Sequence, residues 1–286
     1  MAINQIIKPD DLESALSALA ANAEKASVIA GGTDLLPAMA KNLMSPTVLV
    51  DIGSLEDLKV LKEEGDDIII GAALTHNEIL ESFVGEQLPA FGESMSSIAC
   101  NQTRNMGTIG GNVAMAVPSA DTAPALLVYD AQVVLASQKK GKRQVPLDQF
   151  FTGPRRTVME PGEIIVSFIL PGAKKRRSAF IKHGRRKALS LAVVNVAASM
   201  RLENNLCREV RIAMGAVAPT PVRAYEAEKM LEGKEPSESN IRQAAELAAL
   251  QECSPIDDFR ASCAYRQELV KVYVRRVLES ITGSGN

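Results

Sequence analysis

The sequence predicts an α+β fold with a small parallel sheet at its N-terminus and an antiparallel sheet with helices at its C-terminus. Up to residue 52, apolar strands alternate with helical patterns, the order that parallel strands with crossover helices require. Past residue 172, three apolar segments precede three amphipathic helices, and a Glu-Asn-Asn turn at 203–205 joins the last two segments. Between these ends lie two Gly-Gly loops, at 30–34 and 108–112, which suggest one ligand approached from two sides.

The N-terminal elements are predicted from apolar runs and capping signals. Strands are expected at 3–7, 27–30 and 47–52, with a helix beginning at Asp10 and another over 35–44. Asp10 and Glu13 have the spacing of a capping box, so each can accept a hydrogen bond from a free N–H of the first helical turn. Thr33 or Asp34 is expected to cap the second helix.

The middle of the chain has signals for a hairpin and several short helices. Apolar segments at 58–61 and 68–70 flank an acidic turn, which predicts the hairpin. Thr75 and Glu78 form a second capping pair before a short helix. The remaining predicted elements are helices at 89–99 and 125–129 and strands at 131–137 and 163–170.

A domain boundary is expected where Pro171-Gly172 precedes a run of four basic residues after Ala173. We interpret this run, at 174–177, as a solvated linker, or alternatively as an interface with an acidic partner. The predicted division is 1–173, with subdomains of about 1–55 and 56–173, followed by 174–286. The last part has predicted strands at 178–182, 191–200 and 210–215 and helices at 223–231, 239–250 and 262–281.

Composition excludes several classes of function for this 286-residue chain. A net charge of −2, no Trp and 4% aromatic residues argue against nucleic-acid binding. Four cysteines without a C-x-x-C pair and only two histidines argue against a metal or iron–sulfur site on this chain. No window approaches the roughly 18 apolar residues of a membrane span. Scattered thiols without a secretory signal predict a cytoplasmic protein.

The first glycine loop has chemistry suited to an anion. Gly31 and Gly32 follow a predicted strand, where bare glycines let a phosphate approach the backbone and the following amides favour negative charge. Taken alone, this loop is better explained as a tight strand-to-helix turn without any ligand, because single glycine loops are weak motifs. The loop lacks the Gly-Lys-Ser/Thr of a P-loop, and neither loop has G-x-G-x-x-G, so an ordinary NAD fold is disfavoured.

The second glycine loop combines a hydroxyl, open amides and a carboxamide in Thr108, Gly110, Gly111 and Asn112. Such a set can hold a pyrophosphate or a ribityl chain without fixed positive charge. Asp121, after Pro-Ser-Ala, is suited to accept hydrogen bonds from a polyol or ribose, and it is equally suited to cap the following helix.

Six segments in order resemble one family. They are AGGTDLL, TIGGN preceded by TRNMG, PSADTAPALL, GEIIVSFILP, AFIKHGRR, and the tail from APTPVRA to DFRAS. Together they resemble the FAD-binding medium subunit of the molybdenum hydroxylases, the xanthine dehydrogenase and carbon monoxide dehydrogenase family. The resemblance covers nearly the whole chain, and neither glycine loop would be decisive alone.

The resemblance implies a fold, a cofactor and partners. The fold would be a vanillyl-alcohol-oxidase-like FAD domain of two subdomains, then a three-stranded antiparallel sheet packed on helices. FAD would be non-covalent, because the first glycine loop contains no histidine for attachment. Molybdopterin and [2Fe-2S] clusters would lie on a large and a small partner subunit, in a dimer of heterotrimers with NAD or another acceptor. Alternatives are a stand-alone flavin oxidoreductase or a cofactor-free scaffold.

The resemblance also implies site residues. Residues 29–35 would wrap the pyrophosphate with backbone amides, 108–112 would close over it, and two further residues would approach the sugar alcohol or the ring. Lys182 would be a cation at the flavin edge, with Ile181 the alternative for that position. Many relatives carry an acidic residue where this chain has 190–192, Ser-Leu-Ala. The predicted cofactor-binding set is Ile29, Ala30, Gly31, Gly32, Thr33, Asp34, Leu35, Thr103, Thr108, Ile109, Gly110, Gly111, Asn112, Asp121, Ile165 and Lys182, with no catalytic or metal-binding residue.

Overall fold

The computed structural model describes residues 3–22 and 25–283 and begins with a small three-stranded parallel sheet. Its strands have the order β1-β3-β2, and Leu49 of β3 pairs with Ile6 on one side and Ser27 on the other. The alternation of strand and helix predicted from the sequence is therefore confirmed. The elements are β1 (Gln5–Ile7), α1 (Leu12–Asn22), β2 (Ala26–Ile29), α2 (Leu35–Ala40) and β3 (Val48–Asp51).

Two predicted details of this layer are wrong. The cap of α1 uses Asp11 and Ser14 instead of Asp10 and Glu13: the Asp11 carboxylate accepts from the Ser14 amide at 2.7 Å, and the Asp11 amide donates to Ser14 Oγ at 3.2 Å. Helix α2 ends at Ala40, short of the predicted residue 44. The chain leaves the helix through Asn42, whose φ of 56° is left-handed and incompatible with a continued helix.

The second part is a five-stranded antiparallel sheet with helices on one side. Its order is β4-β5-β10-β6-β7, and a separate two-stranded ribbon pairs β8 with β9. The predicted hairpin is confirmed, but its first strand begins only at Leu61, because residues 56–58 form a 3₁₀ turn that buries Leu58. The elements are β4 (Leu61–Glu64), β5 (Asp67–Gly71), α3 (His76–Leu80), α4 (Phe83–Gln87), α5 (Pro89–Ser97), α6 (Asn101–Arg104), α7 (Ile109–Ala114), α8 (Thr122–Leu127), β6 (Gln132–Ser137), β7 (Gly141–Pro146), β8 (Phe151–Gly153), β9 (Arg156–Thr157) and β10 (Ile164–Leu170).

The C-terminal part is an antiparallel sheet with helices on one face. The three predicted strands are present, and a two-residue strand, β14, adds a fourth in the order β11-β12-β13-β14. The predicted helix from 223 begins at Tyr225, because Arg223 pairs with Ala213 in the sheet. The elements are β11 (Arg177–Gly184), β12 (Ala192–Glu203), β13 (Leu206–Gly215), β14 (Val222–Arg223), α9 (Tyr225–Leu231), α10 (Glu238–Gln251) and α11 (Cys263–Thr282).

Three apolar cores hold these layers together. One lies between the parallel sheet, α1 and one face of the five-stranded sheet, and another between the C-terminal sheet and its helices. The largest contains the other face of the five-stranded sheet with α5 and α8, and it includes Phe180, Ala197 and Ala213 from the C-terminal sheet. The C-terminal sheet is therefore buried on both faces, one of them against the second part.

The basic run at 174–177 is held by ion pairs to the preceding part, so it is not the free linker that the sequence suggested, although Lys175 and Arg177 remain exposed to solvent. Lys174 pairs with Glu63 of β4, and Lys175 pairs with Asp66 in the turn of the β4–β5 hairpin. Arg176 is buried and donates to Asp130 at 2.8 Å. Two of these partners belong to the acidic segment 63–66, which lies more than 100 positions earlier in the chain. The sequence around 174–177 therefore does not reveal them.

Candidate cofactor-binding site

A cavity of about 320 Å³ lies between the parallel sheet and the second part, and both glycine loops line it. Most of the predicted site residues therefore meet in one place, although they are far apart in the sequence. The predicted residues in its wall are Ile29, Ala30, Gly31, Gly32, Thr33, Asp34, Leu35, Thr103, Thr108, Gly110, Gly111, Asn112 and Ile165.

The first loop presents a row of unused backbone donors to this cavity. Among the described residues, the amides of Gly31, Gly32, Thr33 and Asp34 donate no hydrogen bond. Gly32 has φ of +70°, a left-handed conformation that glycine adopts without steric cost. Asp34 occupies the cap position of α2 without a side-chain cap bond, so the carboxylate does not use these amides. Consecutive free N–H groups form a nest that fits a phosphate anion.

The second loop has its amides already in use. The Ile109 amide donates to Leu74 at 3.0 Å, that of Gly110 to Ala72 at 2.9 Å, and that of Gly111 to Thr108 Oγ1 at 3.1 Å. Its contribution is a wall without side chains: a Cβ on Gly111 would meet only Thr108 Oγ1, at 3.0 Å, before open space. The side chain of Ile109 points away and is fully buried in the largest core, so it does not line the cavity.

The two loops also touch each other. A Cβ on Gly31 would lie 1.7 Å from the carbonyl oxygen of Met106, and one on Gly107 would lie 3.2 Å from Thr33 Oγ1. Real Cβ atoms do not approach a backbone oxygen so closely, so Gly31 is required for the contact between the loops themselves. The two halves of the predicted grip therefore meet along one rim of the cavity.

Several residues in the cavity wall were not predicted from the sequence. His76 follows the confirmed Thr75–Glu78 capping box, lies 2% exposed, and places Nδ1 3.2 Å from Met95 Sδ. Burial, with help from the charge of Arg104, lowers the pKa of His76 to about 4. The capping signal identified the helix but not the direction of its first side chain. Other wall residues outside the predicted set are Val28, Ile52, Ala72, Ile98, Ala99, Gly107, Ala114, Met115, Met159, Glu163 and Ile164.

Glu163 is buried at the edge of this wall and is held by Arg143. The guanidinium donates through Nε at 2.6 Å and through Nη2 at 2.8 Å, a bidentate pair. Burial raises the pKa of this carboxyl, but the bonds and charge of Arg143 act together with the bond from the Glu160 amide and bring the pKa below its ordinary value. Glu163 is therefore a fixed carboxylate that positions the start of β10.

Asp121 and Lys182 are brought together, but outside this cavity. Lys182 Nζ donates to Asp121 Oδ2 at 2.5 Å and to the Ser97 carbonyl at 2.9 Å. Asn195 Nδ2 donates to Asp121 Oδ1 at 2.8 Å. Burial raises the pKa of the Asp121 carboxyl, and the bonds from Lys182 and Asn195 oppose that rise. Asp121 precedes α8 but makes no side-chain cap bond, so the helix-capping role that the sequence suggested is wrong.

The orientation of β11 distinguishes Lys182 from its neighbour. Ile181 packs against the core between the C-terminal sheet and its helices. Lys182 points to the opposite face and lines a smaller cavity of about 270 Å³ together with Ser97, His183 and Arg186. Because side chains alternate along a strand, Lys182 and not Ile181 faces the FAD-binding part.

Comparison with known protein families matches both parts of the chain. Residues 2–173 match the model of the FAD binding domain in molybdopterin dehydrogenase, and residues 179–281 match the CO dehydrogenase flavoprotein C-terminal domain. The chain belongs to the flavoprotein subunits of the molybdopterin dehydrogenases. It therefore carries an FAD-binding domain and is the medium subunit type of this oxidoreductase family.

Relatives of this flavoprotein subunit align over nearly its full length. It is 35% identical over 280 residues to the xanthine dehydrogenase FAD-binding subunit of Escherichia coli O157:H7, covering 96% of this chain and 94% of the relative. It is 32% identical over 273 residues to the carbon monoxide dehydrogenase medium chain of Hydrogenophaga pseudoflava, covering 95% and 94%.

Solved structures agree with the fold. A chain of reconstituted CO dehydrogenase from Oligotropha carboxidovorans superposes with a TM-score of 0.93 at 30% identity, covering 99% of this subunit and 98% of that chain. A chain of CO dehydrogenase from Hydrogenophaga pseudoflava superposes with a TM-score of 0.92 at 32% identity, covering 98% and 97%. The predicted fold, two-part FAD-binding domain followed by an antiparallel C-terminal domain, is confirmed.

Two further properties concern only the described residues. Within 3–22 and 25–283, no group of three or more His, Cys, Asp or Glu side chains could hold a metal ion. In the same residues, no helix is long and apolar enough to span a membrane.

Proposed function

We propose that this subunit is the FAD-carrying electron-transfer component of a multisubunit molybdenum hydroxylase. It would accept electrons from iron–sulfur clusters of a partner and pass them from FAD to NAD or another acceptor. The observation that carries the proposal is the row of unused amides at 31–34 facing a cavity in a chain of this family. Four consecutive amides without a protein partner, in residues that line one cavity, are what a bound pyrophosphate would need as hydrogen-bond donors.

The donor set fits the charge and shape of FAD. The amides of 31–34 would hold the pyrophosphate, since free N–H groups in a left-handed loop favour an anion. Gly111 and Thr108 would face it from the second part, and Thr103 and Ile165 would contact the sugar alcohol and the ring. FAD supplies reversible two-electron transfer when bound. The chain holds it non-covalently, and residues 108–112 contribute shape and exclusion of water more than hydrogen bonds.

The partners follow from the relatives. The proposed assembly joins a large molybdenum-cofactor subunit and a small iron–sulfur subunit to this chain, as a dimer of heterotrimers in the cytoplasm. The name "medium chain" of the carbon monoxide dehydrogenase relative supports such an assembly. We propose a division of this chain into 1–173, built from subdomains of about 1–55 and 56–173, and 174–286. The organic substrate would be oxidised on the large subunit.

Flavin binding tests the proposal directly. The full-length chain is purified, incubated with FAD and freed of excess, and its flavin absorbance is measured against protein concentration. About one FAD per chain is expected, and no substrate turnover without partner subunits. A chain without flavin absorbance would contradict the proposal and favour a cofactor-free scaffold. Turnover of an organic substrate by the isolated chain would instead favour a stand-alone flavin oxidoreductase.

Co-purification tests the assembly. An affinity tag on this chain, in the cells that produce it, should recover a large molybdopterin-containing subunit and a small cysteine-rich subunit in equal amounts. Recovery of the flavin-loaded chain alone would overturn the proposed assembly without affecting FAD binding.

A further inference from the structure

His76 is the first residue of α3, and its side chain is fixed in the wall of the cavity between the two glycine loops. The Thr75–Glu78 capping box closes the start of the helix, and the His76 amide donates to the Gly107 carbonyl at 3.0 Å. The residue is 2% exposed and lines the cavity. A Cβ on Gly107 would lie 3.4 Å from His76 Cδ2, the ring atom next to Nε2, and 3.2 Å from Thr33 Oγ1. This edge of the ring therefore lies beside the first loop.

The two ring nitrogens of His76 have different hydrogen-bonding roles. Nδ1 lies 3.2 Å from Met95 Sδ, and a thioether sulfur has no hydrogen to donate, so Nδ1 carries the proton. Burial, with help from the charge of Arg104, lowers the pKa of His76 to about 4. At neutral pH the ring is therefore uncharged and holds a single proton. Nε2 is left as a hydrogen-bond acceptor.

The acceptor Nε2 has no hydrogen-bond partner among the described residues. Nor is it one of the fully enclosed side-chain atoms without a partner in this part of the chain, so Nε2 borders open space. For a nearly buried ring in the cavity wall, that space is the cavity. An aromatic ring without nitrogens would fill the same volume at no polar cost, so packing alone does not explain a buried imidazole with an unused acceptor. The free acceptor points to a ligand group.

We propose that His76 Nε2 accepts a hydrogen bond from a sugar hydroxyl of the cofactor, beside the amides of residues 31–34. The inference rests on the proposed function, in which those amides hold the pyrophosphate. In FAD, the hydroxyls of the ribityl chain and of the ribose flank the pyrophosphate, and each can donate. A phosphate oxygen is not a partner for Nε2, because both atoms are acceptors. A neutral imidazole suits this position better than a carboxylate, since it adds no negative charge beside the phosphates.

FAD titration of the full-length chain tests the contact with two substitutions at one position. His76→Phe keeps an aromatic ring and removes the acceptor, and we expect the FAD dissociation constant to rise about tenfold. His76→Gln places an acceptor oxygen the same number of bonds from the backbone as Nε2 and should restore most of the affinity. The matched control is His183→Phe, at the only other histidine, which is bonded to Tyr273 and should keep the wild-type affinity. Wild-type affinity in His76→Phe would overturn the inference.

FAD analogues that lack one sugar hydroxyl at a time identify the donor. The analogue without the bonded hydroxyl should bind the wild-type chain about tenfold more weakly than FAD and should lose nothing more with His76→Phe. For the other deoxy analogues, the effect of His76→Phe should remain. The position of the coupled hydroxyl distinguishes the ribityl chain from the ribose. If His76→Phe weakened the binding of FAD and of every analogue by the same factor, the inference would be overturned.

NMR of the wild-type chain with nitrogen-labelled histidines tests the contact even where His76→Phe fails to fold. With only two histidines, the signals of His76 are assigned by comparison with His183→Phe. At neutral pH, Nδ1 should give the signal of a protonated nitrogen and Nε2 that of an unprotonated one, and FAD should move the Nε2 signal toward the protonated position. A proton on Nε2 in the free chain, or an Nε2 signal that bound FAD leaves unchanged, would overturn the inference. A wild-type chain that binds no FAD would overturn the proposed function instead.

Discussion

The two glycine loops share a Gly-Gly pair and a threonine but differ in how their amides are used. In the first loop, the amides of residues 31–34 are unpaired among the described residues and face the cavity. In the second, the amides of Ile109, Gly110 and Gly111 are all bonded within the protein. The first loop can therefore donate to a ligand, whereas the second mainly leaves room for it.

In each loop, one glycine permits a close contact within the protein and the other lines the cavity. Gly31 and Gly110 permit close contact with protein, since a Cβ would meet the Met106 carbonyl or Ala72 at 1.7 Å and 2.7 Å. Gly32 and Gly111 provide the turn and the open wall of the cavity. Each Gly-Gly pair of this chain therefore combines one position that contacts protein and one that lines the cavity, and substitutions can separate them.

Gly31→Ala should have the largest effect, because it destroys the contact between the loops. The new Cβ would lie 1.7 Å from the Met106 carbonyl oxygen, so the backbone must shift. We expect the free energy of unfolding to fall by about 3 kcal/mol or more, and FAD binding to be lost as well. Denaturant unfolding and FAD titration measure both. Gly53→Ala is the matched control, since its Cβ would make only ordinary contacts at 3.4 Å and beyond and should cost within about 1 kcal/mol. Equal stability of the two variants would contradict the structural role of Gly31.

Acid should lower the free energy of unfolding through His76, which contacts the residue just before the second loop. Its backbone amide donates to the Gly107 carbonyl at 3.0 Å, and its native pKa of about 4 is below the value of about 6.5 in the unfolded chain. As the pH falls below about 6.5, His76 takes up a proton in the unfolded state but stays neutral in the native state until about pH 4. Stability is therefore lost as the pH falls toward 4, by about 3 kcal/mol, and the loss levels off below that value.

The measurement is urea unfolding of the apo-protein between pH 7 and pH 4. His76→Phe should remove this part of the pH dependence, while His183→Gln, at the only other histidine, should retain it. If the slope of His76→Phe matched that of the wild-type chain, the acid sensitivity would have to come from carboxyl groups alone.

Gly111→Val should separate ligand binding from folding. The added side chain enters the cavity, and its Cβ meets only Thr108 Oγ1, so the apo-protein should unfold within about 1 kcal/mol of wild type. We expect the FAD dissociation constant to rise at least ~100-fold, equivalent to about 2.7 kcal/mol. Gly110→Ala provides the contrast, because contact with Ala72 should lower the stability of the apo-protein as well. Tight FAD binding by Gly111→Val would show that this wall does not face the cofactor.

Thr108→Ala should have the smallest of these effects. Its hydroxyl accepts from the Gly111 amide at 3.1 Å and caps α7. Losing a helix cap costs about 1 kcal/mol in the free energy of unfolding, and Thr108→Ser should restore it because the hydroxyl is kept. Thermal unfolding of the three proteins measures the difference. A deficit in the serine variant equal to that of alanine would assign the effect to the methyl group instead.

Much of the fold was predictable because its signals are local. The Thr75–Glu78 capping box and the strand–helix alternation at the N-terminus depend on residues within one or two helical turns of each other, and both are confirmed. The cavity lining was also largely predicted, through the resemblance of the glycine motifs to one family. The side-chain direction of Ile109 was not, since the predicted contact became a buried core residue.

The partners of charged residues depend on contacts that no local pattern encodes. The predicted linker at 174–177 became a tied segment because Glu63 and Asp66 lie more than 100 positions earlier and fold beside it. Asp121 does not cap the helix that follows it, and its carboxylate is instead bonded to Lys182 and Asn195, which lie 61 and 74 residues further along the chain. Helix caps, turns and apolar periodicity follow from the chain's own neighbours, whereas the pairing of buried charges follows from which strands and helices pack together.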